Sequence, residues 1–392
     1  MWACSTRASR IRSVRVRLFG TALAGLLPLA AAWAAPYTPR SDAQVLAELP
    51  PGTSHSSTST RQLAHARLDV ALPLAQFYIS RTRGSGDLRY LGYAEALLAP
   101  WLRQSPRLPA VLVLDATIQQ SRHAFGAALS ELDQALRAQP DNAQAWLTRA
   151  TVLRVLGRYD EALSSCGRLA AAADASITSL CQQSLLALSG HLHAAYAAVV
   201  ALPQQTLPIE VRAWRYSELG EMAERLGDDA AAEHWLREGL QLSPDDIYMR
   251  TACADLLLRH ARAADALQLL AGYESMEPML LRIAIAQKML GDPRSAQTRS
   301  GLSNAFALEA QRGDAVHRRE QSRFLLDIEQ QPAAALAAAQ ANWEVQREPD
   351  DLLILMRSAR AARRPDAAAA ALQFLQQWQL QDVRLEPYRA SP

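Results

Sequence analysis

The sequence predicts an all-α fold in which about eight to nine helical hairpins stack into an α-solenoid. Three observations support this fold class. The 392-residue chain repeats a similar pattern at intervals of about 34 residues. Glycines and prolines recur at the points in the pattern where helices must end. No segment of useful length alternates apolar and polar residues, as a half-buried strand would.

Composition and charge exclude several classes of protein. A hydrophobic content of 49% is too high for a disordered chain. No apolar run after residue 35 is long enough for a membrane-spanning helix, which excludes a multi-span membrane protein. The 41 Lys and Arg residues almost balance the 39 Asp and Glu residues, whereas a nucleic-acid-binding protein would show a marked basic excess. We therefore expect neither nucleic acid nor a membrane as a partner.

Residues 1–34 are typical of a secretory signal peptide. Five arginines between residues 7 and 17 precede an apolar stretch, residues 18–33, and the small residues Ala32 and Ala34 follow the pattern of a cleavage site. An uncleaved N-terminal anchor is the alternative, but two glycines and a proline interrupt the apolar run. Cleavage near Ala35 leaves 36 basic and 39 acidic residues, a net charge of −3.

The clearest copy of the repeat lies between residues 145 and 163. It contains Ala145-Trp146-Leu147-Thr148-Arg149-Ala150, followed by Gly157-Arg158-Tyr159-Asp160-Glu161-Ala162-Leu163. This segment resembles the tetratricopeptide repeat (TPR) family, whose unit is a helix–turn–helix with aromatic, small, Gly, Tyr and Ala residues at fixed positions. The resemblance implies a right-handed solenoid in which a small residue of the second helix allows a close approach to the first helix.

The family's small residue marks the phase of the other copies. It falls at Ala128, Ala162, Ala195, Ala232 and Ala266, and less clearly at Ala94, Ala296, Ala335 and Ala368. Four glycines lie five residues before such an alanine, where the first helix must end and the chain must turn. They are Gly157, Gly190, Gly227 and Gly291. Three prolines are expected at the first position of second helices, where the missing N–H costs nothing. They are Pro293, Pro332 and Pro365.

The repeat pattern divides the rest of the chain into four parts. Residues 35–60 are rich in Pro, Ser and Thr and are interpreted as a flexible linker. Residues 61–108 are a divergent first unit, and residues 109–272 are the core of the array. Residues 273–392 keep helical periodicity with irregular spacing, so they are expected to continue or cap the solenoid.

No motif in the sequence predicts catalysis or metal binding. There is no glycine-rich phosphate loop, no HExxH, no GxSxG and no Cys-x-x-Cys. His191 and His193 are two residues apart and would point to different sides of a helix. Asp314 and His317 could share a helix face, but Asp314 is better explained as the N-cap of a helix that begins at Ala315. We therefore expect no catalytic residue, no metal and no cofactor.

Three cysteines remain after signal cleavage. Cys166 lies late in the second helix of one unit, and Cys181 lies in the first helix of the next. These two helices pack together in a TPR stack, and an oxidising periplasm favours a disulfide between them. The alternative is two separate buried thiols that act as small core residues. Cys253 lies beside apolar residues and is expected in the core.

TPR proteins bind partners in a concave groove lined by the first helices. Transferring the family's groove positions to this chain gives eleven candidates: Gln120, Thr151, Arg154, Ser184, Trp214, Glu221, Glu224, Arg225, Tyr248, Asp255 and Arg259. The Lys and Asn residues with which some members hold a C-terminal carboxylate are absent, since Leu147 and Thr151 occupy such positions. The later part of this groove is mixed to acidic, which suits a peptide with some basic charge. The alternative is that these residues are only the exposed face of amphipathic helices.

The expected function is that of a non-catalytic scaffold or adaptor, which binds a protein or peptide partner in the periplasm or envelope of a Gram-negative bacterium. A second interpretation is an accessory subunit that orients an exported enzyme or transporter. A third treats residues 273–392 as a divergent ligand-binding or catalytic domain. Its only candidate residues would be Asp314, His317 and Glu320.

Overall fold

A computed structural model describes residues 66–203, 207–312 and 317–389. All of them belong to one compact unit, Thr58–Pro392. The predicted signal peptide, the predicted linker, and Asp314 with Ala315 lie outside the described residues. Helices, turns and bends make up these ranges, which contain no strand. The prediction of an all-α solenoid is confirmed for this part of the chain.

Nineteen α-helices are present in the described ranges. The first ten are α1 (Leu68–Ser85), α2 (Arg89–Leu102), α3 (Pro109–Ser121), α4 (Phe125–Ala138), α5 (Ala143–Val155), α6 (Tyr159–Leu169), α7 (Ala175–Leu186), α8 (Leu192–Val200), α9 (Ile209–Leu226) and α10 (Asp229–Leu242). The others are α11 (Ile247–Arg259), α12 (Ala263–Leu269), α13 (Glu277–Leu290), α14 (Ser295–Arg312), α15 (Arg318–Arg323), α16 (Pro332–Trp343), α17 (Pro349–Ala361), α18 (Ala369–Gln377) and α19 (Glu386–Arg389). A π-helical segment, Phe324–Ile328, follows α15, and 3-10 segments precede α18 and α19.

Consecutive helices pair into hairpins, α1 with α2, α3 with α4, and so on to α17 with α18. First helices of successive units also contact one another, as α3 does α5 and α5 does α7. Side-chain caps begin several of these helices: the Asn142 side chain accepts from the Ala145 N–H, and Asp246 accepts from Met249. The α9–α10 hairpin depends on a glycine, since a Cβ at Gly220 would lie 2.7 Å from Cγ of Leu236.

The alanines that mark the repeat phase are buried in eight of nine copies, with Ala296 as the exception. Ala296 is exposed, so its assignment as a helix-contact residue is wrong. In the clearest copy, the second helix begins two residues after Gly157, but α14 begins at Ser295, four residues after Gly291. Pro293 therefore precedes α14 instead of occupying its first position, and the contact face is rotated. Leu302 and Phe306 fill the contact with α13.

The largest apolar core joins the central hairpins to the C-terminal region. Tyr159 at the start of α6 lies with its ring centroid 5.7 Å from that of Phe374 and 4.8 Å from that of Trp378. Leu185 of α7 and Leu355 of α17 belong to the same core cluster. The C-terminal helices therefore pack against units α5–α6 and α7–α8, in addition to stacking on their own neighbours.

The C-terminal region packs along the turns between the first and second helices of four successive units. We call these turns, at His123, Gly157, Gly190 and Gly227, the turn row. C-terminal residues meet the turn row in chain order. The contacting pairs are His123 with Gln346, Gly157 with Phe374, Gly190 with Gln379, and Gly227 with Val383. Backbone bonding supports the arrangement, because the Arg347 N–H donates to the Val155 carbonyl at 2.8 Å. The C-terminal region thus runs along the solenoid in the same direction as the units it covers.

Among the described helices, none is both long enough and apolar enough to span a bilayer.

Candidate functional site

The eleven groove candidates lie on first helices, α3, α5, α7, α9 and α11, and we call the surface that these helices share the first-helix face. Their accessibility differs widely. Thr151, Tyr248 and Arg259 are exposed. Six more are half-buried: Gln120, Arg154, Trp214, Glu221, Glu224 and Asp255.

The structure does not offer Ser184 and Arg225 to a partner, contrary to the sequence-based expectation. They are only 5% and 3% exposed. The Ser184 hydroxyl donates to the Cys181 carbonyl within its own helix, and the Arg225 guanidinium donates to the Ala187 carbonyl of the preceding unit. The Arg225 bond connects two neighbouring units, whereas the Ser184 bond satisfies a buried hydroxyl within α7.

An ion-pair network begins at Arg154 of α5. Its guanidinium donates to Glu218 at 2.6 Å and to Glu221 at 3.1 Å, both on α9. Helix α7, which contacts both α5 and α9, lies between them, with the buried Ser184 in its last turn. The Trp214 indole N–H also donates to Glu218, at 3.0 Å. Sequence reasoning missed Glu218, although its position four residues after Trp214 and three before Glu221 places it on the same helix face.

Tyr248 of α11 extends this network, because its hydroxyl donates to Glu221. Burial, together with the nearby Glu218 carboxylate, raises the pKa of Glu221 to about 7. Burial and the Glu221 charge also raise the pKa of Tyr248. Tyr248 nevertheless keeps 48% of its surface accessible to water. Tyr248 is therefore an accessible side chain whose hydroxyl is held by Glu221.

The C-terminal region supplies cations to the remaining acidic candidates. Glu224 pairs with Arg259 on α11 and, at 2.9 Å, with Arg384, which also binds Asp350 and Asp382. An arginine so late in the chain carries no sequence signal for contact with α9. The Glu224 carboxylate is therefore shared between the first-helix face and the region that covers it.

The Asp255 carboxylate is also paired with two arginines. Arg282 of α13 lies 2.7 Å from it and Arg323 of α15 lies 2.8 Å from it. Although burial alone would raise it, the pKa of Asp255 is lowered to about 2 by these two guanidinium groups. Its carboxylate is therefore ionised at neutral pH and already neutralised by the protein.

The two cysteines predicted to pair are joined by a disulfide in the structure. Cys166 of α6 and Cys181 of α7 are both buried, with Cα atoms 5.7 Å apart. Cys253 is a buried thiol on α11, and burial raises its pKa to about 11. The bond connects two successive units of the solenoid.

His317 meets two carboxylates that sequence reasoning did not associate with it. Its Nδ1 lies 2.8 Å from Glu309 and 3.3 Å from Glu277. The ligand atoms of the three residues lie within 4.8 Å of one another, a proximity that the histidine–glutamate ion pairs explain without a cation. Glu320, the other described candidate in this region, instead pairs with Arg282 at 3.8 Å. Glu277 and Glu309 lie on two preceding helices, α13 and α14, so no local sequence pattern indicated this cluster.

Comparison with known families matches the same part of the chain that shows the clearest repeat. Residues 117–164, from the end of α3 into α6, match a family model described as the tetratricopeptide repeat. Residues 117–164 therefore carry a tetratricopeptide repeat. TPR proteins are generally non-catalytic scaffolds for protein interactions.

Several solved structures resemble this chain at low sequence identity. PilW, described as a widely conserved type IV pilus biogenesis factor, is 20% identical with a TM-score of 0.41, over 51% of this chain and 94% of that one. Pseudomonas aeruginosa pilF is 18% identical with a TM-score of 0.32, over 65% and 98%. A TPR protein from Parabacteroides merdae is 17% identical with a TM-score of 0.38, over 59% and 93%. A search of curated proteins found no match.

The first-helix face therefore has two parts. One part consists of carboxylates that are already paired, Glu218, Glu221, Glu224 and Asp255, and it fixes neighbouring units and the C-terminal region to one another. The other part consists of side chains with free surface, Thr151 and Tyr248 among them. Only the second part can gain contacts with a partner without first losing internal ones.

Proposed function

We propose that the protein is an exported, non-catalytic TPR scaffold that binds a protein or peptide partner along its concave groove. The observation that carries this proposal is the exposure of Thr151 and Tyr248 on first helices, beside acidic neighbours that are fixed in place. Because Tyr combines a large apolar ring with a polar tip, an exposed and pre-positioned tyrosine is well suited to an interface.

The neighbouring carboxylates are already paired with arginines, so we expect the exposed side chains, and not a basic charge on the partner, to determine which partner binds. Glu221 lies within hydrogen-bond reach of Tyr248, and Glu224 and Asp255 follow along the same face. Export is supported by the signal-like pattern of residues 1–34, and we place the interaction in the periplasm or envelope of a Gram-negative bacterium.

Crosslinking in intact envelopes tests the groove. We would introduce the photo-crosslinking residue p-benzoylphenylalanine at position 151, on the first-helix face, or at position 160, an exposed position on the second helix α6. The expected result is a discrete crosslinked partner from position 151 and none from position 160. Equal yields at the two positions, or no product at position 151, would contradict the proposal. An exported enzyme or transporter as the captured protein would indicate the accessory-subunit role.

A substitution at Tyr248 gives a second test. Tyr248→Ala removes the exposed ring, so we expect capture of the partner to fall about tenfold while the thermal unfolding midpoint changes little. The matched control is Leu308→Ala, which truncates an apolar side chain of similar exposure, 53%, on the second helix α14. Capture that is unchanged in Tyr248→Ala, or equally reduced in the control, would remove Tyr248 from the site.

A further inference from the structure

A cavity of about 370 Å³ opens between the second helices α4 and α6, with the first helix α5 beside them. It is lined by Asp133, Leu136, Arg137, Trp146, Arg149, Ser164 and Arg168. None of the eleven groove candidates contributes to it. Any ligand of this cavity would therefore be independent of the first-helix face.

The cavity has an excess of positive charge. Asp133 is its only acidic lining residue, and its carboxylate is used by Arg149, whose Nε lies 2.9 Å away. Arg149 also donates to the Ser165 hydroxyl at 2.8 Å, which fixes its guanidinium. Arg137 and Arg168 are exposed, and within the described residues neither has an ion-pair or hydrogen-bond partner. Two unpaired guanidinium groups thus flank a third that is held in place.

The aromatic wall of the cavity is also fixed. The Trp146 indole N–H donates to the Pro140 carbonyl at 2.8 Å, and the half-buried ring leaves part of its face on the cavity. A ring held in this way loses little conformational freedom when a ligand packs on it. Tryptophan and arginine are the residue types that most often dominate binding energy at protein interfaces.

Another cavity of this chain differs because its charged residues are already paired. It measures about 270 Å³ and includes Asp229, Glu233, His260 and Arg262 among its lining residues. Its charges are matched internally, since Arg262 lies 2.6 Å from Glu233 and His260 lies 2.8 Å from Asp229. A charged ligand would have to displace one of these pairs there, whereas the cavity beside Trp146 offers unpaired cations.

We propose that the cavity between α4 and α6 is a second docking site, which binds an acidic peptide segment of a partner protein. Arg137 and Arg168 bind its carboxylates, because a guanidinium can donate two parallel hydrogen bonds to a carboxylate. Trp146 packs on an apolar side chain next to them. The site goes beyond the proposed function, because it lies outside the groove and selects an acidic segment.

The test uses the full mature protein and one defined probe, a fluorescein-labelled nonapeptide with the sequence Glu-Asp-Leu repeated three times. Fluorescence anisotropy measures its binding in 50 mM and in 300 mM NaCl. The double variant Arg137→Glu/Arg168→Glu removes the two unpaired cations of the cavity. The matched control Arg103→Glu/Arg363→Glu makes the same change of net charge at two exposed arginines that do not line the cavity.

We expect the cavity variant to bind the peptide at least about tenfold more weakly than the wild type, and the control within about twofold, because charge-assisted contacts with the cavity are lost only in the former. Circular dichroism melts confirm that both variants are folded. Equal weakening in the two variants would overturn the proposal in favour of general charge attraction. No binding by the wild type in 50 mM NaCl would also overturn it. So would inorganic phosphate that displaces the peptide at equal concentration, since this would indicate a simple anion site.

Discussion

Glycine is required at position 157 for two separate reasons. Its φ of 71° lies in the left-handed region, which a side chain disfavours, and it ends the first helix of its unit. A Cβ at Gly157 would also lie 2.7 Å from Cε2 of Phe374, in the C-terminal region. Gly291 occupies the equivalent turn of a later unit with a φ of 65°, and nothing would lie within 4 Å of its Cβ. Only the first glycine is therefore required for tertiary packing as well as for the turn.

This difference leads to a prediction. Gly291→Ala should lower the free energy of unfolding by about 1–2 kcal/mol, from backbone strain alone. Gly157→Ala should cost about 1–3 kcal/mol more, because Phe374 must also move. Urea unfolding of the two variants measures both values. Equal losses would mean that the C-terminal region does not approach the turn as closely as the structure shows.

The disulfide between Cys166 and Cys181 leads to predictions about reactive thiols and about stability. Without reductant, the unfolded chain from residue 35 onward should have one thiol that can be alkylated, Cys253, and reduction should expose two more. Cys166→Ala/Cys181→Ala should lower the free energy of unfolding by roughly 3 kcal/mol, since the bond closes a loop of 15 residues. Mass analysis after alkylation checks the count of thiols. Three reactive thiols before reduction would show that the cysteines are separate.

At the scale of single elements, the sequence predicts the hairpins well where small residues and glycines recur in phase. Ala162 of α6 is completely buried, as a close contact between two helices requires. Ala296 has the same sequence spacing but is exposed, because α14 begins two residues later relative to its glycine. The spacing rule assumes that the second helix of each unit starts at the same distance from its turn glycine. Pro293 changes that distance in the unit of α14.

The two alanines form a matched pair for mutation. Ala162→Leu should overpack the α5–α6 hairpin and lower the free energy of unfolding by about 1–3 kcal/mol. Ala296→Leu should change it by less than about 0.5 kcal/mol, as is usual for an exposed position. Thermal or urea unfolding measures both. A neutral Ala162→Leu variant would contradict the assigned contact between the helices.

The contacts between distant elements could not be predicted. Tyr159 and Trp378 are far apart in the chain, and each by itself has the pattern of an ordinary core residue on an amphipathic helix. The same holds for the partners of the groove candidates, Arg323 and Arg384, whose neighbours in sequence give no indication of α9 or α11. Local periodicity determines the helices, whereas the burial of Ser184 and Arg225 depends on how closely successive units approach one another.

At the scale of the whole molecule, His123 lies at the contact between the turn row and the C-terminal region, so its ionisation depends on that contact. Its ring stacks on Phe125, and its Nδ1 lies 3.2 Å from Nε2 of Gln346. Burial lowers the pKa of His123 to about 4, and the charges of Arg319 and His317 act in the same direction. In the unfolded chain the pKa is close to the ordinary value of about 6.5. As the pH falls from about 6.5 to 4, the unfolded state therefore binds a proton that the folded state excludes.

The stability contributed by neutral His123 is consequently present above pH 6.5 and is lost as the pH falls towards 4. His123→Asn, which tolerates the positive φ of 58° at this position, should unfold with a smaller decrease of the thermal midpoint over this pH range than the wild type. Scanning calorimetry at several pH values measures the difference. Parallel pH profiles for the two proteins would contradict the lowered pKa of His123.

The turn row has a consequence for how the length of this protein can change. In an open repeat array each unit contacts only its neighbours, so units can be gained or lost without disturbing the others. Here one continuous stretch, residues 346–383, meets four turns in order. An additional unit inserted between α4 and α9 would move the later turns one unit along, while the stretch that meets them kept its length. Gain or loss of units in homologues or engineered forms of this protein is therefore expected outside the four covered hairpins.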